Sequence, residues 1–125
     1  MTENEIATQI IDSSLKIHRT LGPGLLESVY EEALVYEFTK KDLAYSRQTD
    51  IPVIYEGQKL GIGFRADLII ENKVIIELKS VENVQPVHKK QLLTYLKLTG
   101  LKLGLLINFN EALIKDGITR IVNGL

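Results

Sequence analysis

The sequence predicts helices layered on a β-sheet, either an α+β fold or a three-layer α/β/α sandwich. Three observations carry that prediction. Apolar residues recur at helical spacing over the first forty or so positions, then at a period of two from Ile51 to Phe64. Continuous apolar runs follow at Leu68-Ile69-Ile70, Val74-Ile75-Ile76 and Leu103 to Phe109, the mark of strands covered on both faces. Helical signals bracket the strand signals, an order that stacks helices against a sheet. The 125 residues amount to a single domain, 1–125.

The elements follow in order. Thr2 with Glu5 forms a capping box that opens a first helix. Ile6, Ile10, Ile17 and Leu21 keep helical spacing, and Gly22-Pro23-Gly24 stops it. A second helix is predicted from about Leu25 to Lys41. Leu26, Val29, Tyr30, Ala33, Leu34 and Phe38 form its apolar stripe, with Glu27, Glu31 and Glu37 off the stripe's centre. Lys40-Lys41 suits the negative end of the helix dipole. Ile51, Val53 and Tyr55 then alternate up to the turn signal Glu56-Gly57, and Leu60, Ile62 and Phe64 alternate on the return. A second hairpin turns at Glu71-Asn72-Lys73. Pro86 suits the first turn of a third helix with Leu92, Leu93, Tyr95, Leu96 and Leu98 as its apolar body, and Gly100 is a C-terminal stop. Leu103 to Phe109 forms a strand with Gly104 where something packs close. Asp116-Gly117 turns into a short final strand, Ile118 to Val122.

Composition narrows the function. Apolar residues are 45% and charged residues 25%, the balance of a soluble globular domain. The net charge of −1 excludes a strongly basic grip on nucleic acid by the chain as a whole. With no cysteine there is no disulfide, thiolate zinc site or cysteine nucleophile, which fits a reducing cytoplasm. The start, MTENEIATQI, lacks the basic and apolar regions of a signal peptide. No apolar run approaches the ~20 residues of a membrane helix. The expectation is a cytoplasmic protein without membrane association. Charge is uneven along the chain. Between residues 79 and 102, Lys79, Lys89, Lys90, Lys97 and Lys102 stand against Glu82 alone.

The chemistry concentrates in Arg65-Ala66-Asp67 and Glu77-Leu78-Lys79. If the hairpin centres on Asn72, Asp67 lies directly opposite Glu77, and opposed residues share a face with Cβ atoms roughly 4.5–5.5 Å apart. Lys79, two residues on, shares it too. Two carboxylates and an ammonium thus converge among Leu, Ile and Val. Burying them is costly unless they are paired or hold a metal. The spacing leaves two readings open: a structural Asp–Lys–Glu ion triad, or a divalent cation on hard oxygen ligands, magnesium or manganese rather than zinc.

Further motifs give these residues a family context. Gly24-Leu25-Leu26-Glu27-Ser28-Val29-Tyr30 is a complete GxxExxY motif, and Gln91-Leu92-Leu93-Thr94-Tyr95 a QxxxY motif. With Asp67 and Glu77-Leu78-Lys79, and in this order, the chain resembles the PD-(D/E)xK nuclease superfamily, its GxxExxY family and the RecB-type domains that carry QxxxY. The resemblance runs from about Ile6 to Val122. Ala66 departs from it, standing where the name-giving proline would be. It implies an α/β fold of the restriction-endonuclease-like kind, a three-layer sandwich whose mixed central sheet has an α-βββ-α-β core, plus an N-terminal helix. It also implies a magnesium- or manganese-dependent nuclease that hydrolyses phosphodiester bonds of DNA or RNA. Asp67, Glu77 and the Leu78 carbonyl would ligate the metal, and Glu27 would complete the shell. Lys79 would orient the attacking water, Gln91 and Tyr95 would hold the lysine and the phosphate, and Lys89, Lys90, Lys97 and Arg65 would follow the backbone. The alternative is a catalytically silent module that keeps the fold and binds nucleic acid or a partner. A homodimer would extend the reach of so small a nuclease. His18 and His88 read as surface histidines rather than ligands, Arg65 as a phosphate contact or a partner of Asp67, and Asn108 as a strand end.

Overall fold

The computed structural model describes residues 1–125 and carries two helices, three strands, a helix and two strands in chain order. They are α1 (Glu3–Leu21), α2 (Glu27–Lys40), β1 (Tyr45–Tyr55), β2 (Gln58–Ile70), β3 (Val74–Lys79), α3 (Pro86–Thr99), β4 (Leu103–Asn108) and β5 (Ile118–Val122). A single 3-10 turn, Ile114–Gly117, precedes β5. One sheet holds all strands in the order β1-β2-β3-β4-β5. β1, β2 and β3 form an antiparallel meander, β4 lies parallel to β3 after the α3 crossover, and β5 returns antiparallel. The sheet is therefore mixed, as predicted.

Two apolar clusters define the layers. Ile6, Ile10, Tyr30, Leu34 and Phe38 of α1 and α2 pack on Leu68, Ile70, Val74, Ile76, Leu78 and Leu105. On the opposite face Leu92, Tyr95 and Leu96 of α3 pack on Ala66, Ile69, Ile75 and Leu106. Pleating assigns alternate residues of β3 to alternate faces: Val74, Ile76 and Leu78 go to the α1–α2 side and Ile75 to the α3 side. Covering on both sides is what makes these strands read as unbroken apolar runs. Gly104 is required here, because an added Cβ would stand 2.8 Å from the Leu92 side chain.

The helix ends obey local rules. Thr2 and Glu5 form the capping box, with Oγ1 of Thr2 accepting from the Glu5 N–H at 3.2 Å. Leu26 offers α2 no side-chain cap. Instead the Tyr30 hydroxyl folds back over the preceding loop. It donates to the Gly22 carbonyl at 2.7 Å and accepts the Leu25 N–H at 3.1 Å. Tyr30 is itself buried and stacked on Phe109, centroids 4.2 Å apart.

Several expectations are corrected. Leu26 is 75% exposed and Val29 is also exposed, so neither belongs to the core stripe of α2. Glu31 and Glu37 are buried in their place, because cations meet them: Arg47 at 2.8 Å from Glu31, Lys16 and Lys40 at 3.0 and 3.1 Å from Glu37. β1 begins at Tyr45, upstream of the period-two signal, over a polar stretch that forms a sheet edge. Leu60 to Ile70 lie in one continuous strand. The outer end of the β1–β2 hairpin is not core: Ile54 and Tyr55 of β1 and Leu60 and Ile62 of β2 are exposed. His18 is buried rather than superficial, its Nε2 donating to the Glu111 carbonyl at 2.8 Å. His88 caps α3, its Nδ1 accepting the Gln85 N–H at 3.1 Å.

Candidate metal centre

The β2–β3 hairpin turns at Glu71 and Asn72, both in the left-handed region. Its ladder runs through Ile70–Val74, Ile69–Ile75 and Leu68–Ile76 and stops there. Asp67 and Glu77 come next in the same register, but backbone bonding gives way to side chains. The Asp67 N–H donates to Glu77 Oε1 at 3.1 Å, and the Leu78 N–H donates to Asp67 Oδ2 at 2.8 Å. The strands part, and the two carboxylates fill the opening.

Neighbouring strands fix the remaining geometry. The Lys79 carbonyl accepts the Phe109 N–H of the chain beyond β4 at 2.9 Å. Successive residues of a strand direct their carbonyls to opposite neighbours, so the Leu78 carbonyl points to the β2 side, where its N–H meets Asp67. Across the opening, Glu27, Ser28 and Glu31 of α2 face Gln48, Asp67 and Leu78 over a cleft of about 300 Å³. Glu27 and Glu31, one helical turn apart, share that face of α2. Glu27 is exposed at the cleft's rim, placed there by the Tyr30-stapled loop. Ser80, next after Lys79, ties the same loop to the end of β3, its hydroxyl donating to the Leu25 carbonyl at 2.6 Å.

The electrostatics are strained. Burial, reinforced by the nearby charge of Asp67, pushes the Glu77 carboxyl up to about 8. Burial raises Asp67 as well, against the lowering effect of the Leu78 N–H. The Tyr95 phenol is raised by burial and then by the charges of Glu77 and Asp67. Lys79 forms no ion pair with either acid; the five salt bridges lie elsewhere. The Asp–Lys–Glu ion triad is therefore not formed. No three acids or histidines are gathered into a ready-made cage, so the centre is a pair of carboxylates with Glu27 across the cleft.

Other predicted site residues are dispersed. Arg65 pairs with Asp50 at 3.2 Å on the exposed flank of the hairpin and not with Asp67. Tyr95 is buried against Phe64, centroids 5.0 Å apart, whereas Gln91, one turn earlier on α3, is exposed. Lys89, Lys90 and Lys97 are exposed on the same helix. Glu31 and Gln48, not read as site residues from sequence, and Asn108, read only as a strand end, belong to the centre's surroundings. Glu31 and Gln48 line the cleft. Asn108 is fully buried: its Oδ1 accepts the Val81 N–H at 3.1 Å and its Nδ2 donates to the Val81 carbonyl at 2.9 Å, clamping the loop after Lys79. The spacing of Glu31 from Glu27 was a usable signal; nothing local marked Gln48 or Asn108.

A metal fits this donor set. Both acids offer hard oxygens, each has one oxygen held by a backbone N–H, and their mutual repulsion has no cation within salt-bridge distance.

Comparison with known proteins agrees with the architecture. The structure of an alkaline exonuclease from Laribacter hongkongensis superposes with a TM-score of 0.52. The match covers 98% of this chain and 72% of that one at 16% identity, a likeness of fold. No curated protein matches the chain in sequence. A family model for the PD-(D/E)XK nuclease superfamily matches residues 4–121, taking in the hairpin, both acids and the lysine, and the chain belongs to that superfamily.

Proposed function

We propose that this chain is a magnesium- or manganese-dependent nuclease of the GxxExxY type that hydrolyses phosphodiester bonds in DNA or RNA. The observation that carries the proposal is the close pair Asp67–Glu77, held in no salt bridge, at the point where β2 and β3 part. A chain that needed only its fold would gain stability by losing one of these charges. Asp67, Glu77 and the Leu78 carbonyl would hold the cation, with Glu27 reaching across directly or through water. A cation held by these residues would supply Lewis-acid polarisation of the phosphate and acidify a water for attack.

The chain's own groups do the rest. The pleat sets Lys79 on the side of Glu77, where its ammonium orients the water and offsets charge developing on the phosphate. Tyr95, buried on α3, would back Glu77, and Gln91, exposed one turn earlier, would contact the phosphate. Lys89, Lys90 and Lys97 supply sequence-independent contacts to the backbone, and Arg65 a further one along the hairpin. With a net charge of −1 that grip is modest, and a second copy would add reach.

Calorimetric titration of manganese into wild type and Asp67→Ala tests the assignment, followed by incubation with labelled single- and double-stranded DNA and RNA. Binding and cleavage in the wild type only are expected. A wild type that binds no metal would overturn the proposal and leave a silent binding module.

A further inference from the structure

Gln48 sits mid-strand in β1 with φ +48°, a region most non-glycine residues avoid. Such an outlier persists only where its surroundings enforce it, and it marks a place to look for function. Here it coincides with a gap in the ladder. Arg47 pairs with Leu68 and Thr49 with Ala66, but Gln48, opposite Asp67, is left out.

The departure has a definite result. Gln48 Nε2 lies 2.6 Å from Glu31 Oε1 and 3.5 Å from Asp67 Oδ1, between two carboxylates. Glu31 is in turn fixed by Arg47, whose Nε and Nη2 stand 3.1 and 2.8 Å from Oε2. Arg47 is further held by Glu32 Oε1 at 2.6 Å. The chain of contacts runs from Arg47 through Glu31 to the amide, and from the amide to Asp67. Asp67 Oδ2 is already fixed by the Leu78 N–H. Both oxygens of one acid thus face a donor, and its orientation is set by the protein alone.

We propose that Gln48 is a positioning residue of the metal centre: its left-handed backbone turns the amide between Glu31 and Asp67, orienting Asp67 for a divalent cation. The side chain suits this task because it is neutral. A lysine or arginine there would neutralise Asp67 and compete with the cation, whereas an amide orients the carboxylate and leaves its charge available. The anchoring Glu31 keeps its own charge satisfied by Arg47.

This inference rests on the metal-nuclease assignment, and its test separates the two. Manganese affinity is measured by calorimetry, alongside the metal-free melting temperature, for wild type, Gln48→Gly and Gln48→Asn. Glycine accepts the backbone angle and removes the amide, and water entering the open cleft takes its place at Glu31. Asparagine tolerates the angle but brings its amide one methylene short of both carboxylates. The expected result is a dissociation constant about tenfold higher in both variants, the usual scale for loss of an outer partner of a metal ligand. Melting temperatures should stay within a few degrees of wild type. Wild-type affinity in either variant, or a glycine variant that does not fold, overturns the role of Gln48. Failure of the wild type to bind manganese overturns the metal assignment instead.

Discussion

Replacing Glu77 by glutamine should stabilise the metal-free protein while removing its metal site. The carboxyl is held near 8 in the fold, against an ordinary 4.5. Between those values the folded chain keeps a proton that the unfolded chain has released. Each pH unit therefore costs the fold up to about 1.4 kcal/mol, so stability present below the ordinary value is lost as pH rises toward 8. Integrated to pH 7 this is about 3 kcal/mol, and at pH 5 it falls below about 1 kcal/mol. Glutamine keeps an oxygen to accept the Asp67 N–H and removes the titrating group. Thermal melts in EDTA at pH 5 and pH 7 measure the difference. Glu77→Gln should melt roughly 5–10 °C above wild type at pH 7 and close to it at pH 5. A variant that melts at or below wild type at pH 7 would refute the argument that the fold holds the Glu77 proton far above its ordinary range.

Three further outcomes follow from the same geometry. Manganese should raise the wild-type melting temperature more at pH 8 than at pH 5, since cations bind the deprotonated acids, and at a hundred times the dissociation constant the gain is about 2.7 kcal/mol. An equal gain at both pH values would count against Asp67 and Glu77 as ligands. Lys79→Ala should abolish cleavage in a labelled-substrate assay yet cost under about 1 kcal/mol in urea melts, because no ion pair is lost. Retained cleavage would remove Lys79 from the site. Tyr30→Phe should cost about 1–3 kcal/mol by urea melts, leaving the Gly22 carbonyl and Leu25 N–H without their partner, and should slow cleavage by loosening the loop that presents Glu27. Unchanged stability and rate together would show that the loop does not depend on the hydroxyl.

What the sequence made legible was what depends on local pattern. The apolar runs on either side of Asn72 fix a hairpin, and the hairpin fixes Asp67 against Glu77. What it hid depends on partners far along the chain. Glu31 is an ordinary helix glutamate until Arg47, sixteen residues on, is brought to it by β1. Tyr45 to Asp50 lack apolar alternation because an edge strand needs none. Leu26 matches the helical stripe of α2, yet the Tyr30 hydroxyl shapes the loop and leaves Leu26 in water. The ion triad was a fair expectation from three charges on one face, but sharing a face does not bring an ammonium within salt-bridge distance. The left-handed Gln48 left no trace in residue type, since glutamine carries no preference for that conformation.

The long β1–β2 hairpin has a consequence for how copies of the chain meet. β1 is an outermost strand, and an outermost strand with exposed Ile54 and Tyr55 beside Ile62 of its neighbour is a template onto which another chain can add. Pro52 brings no N–H to that edge, and the pairing register slips between Pro52 and Ile54. The row of backbone donors and acceptors is thereby interrupted and bent. The arm can carry its apolar side chains in the open without offering the flat, unbroken edge from which strand-by-strand polymers grow.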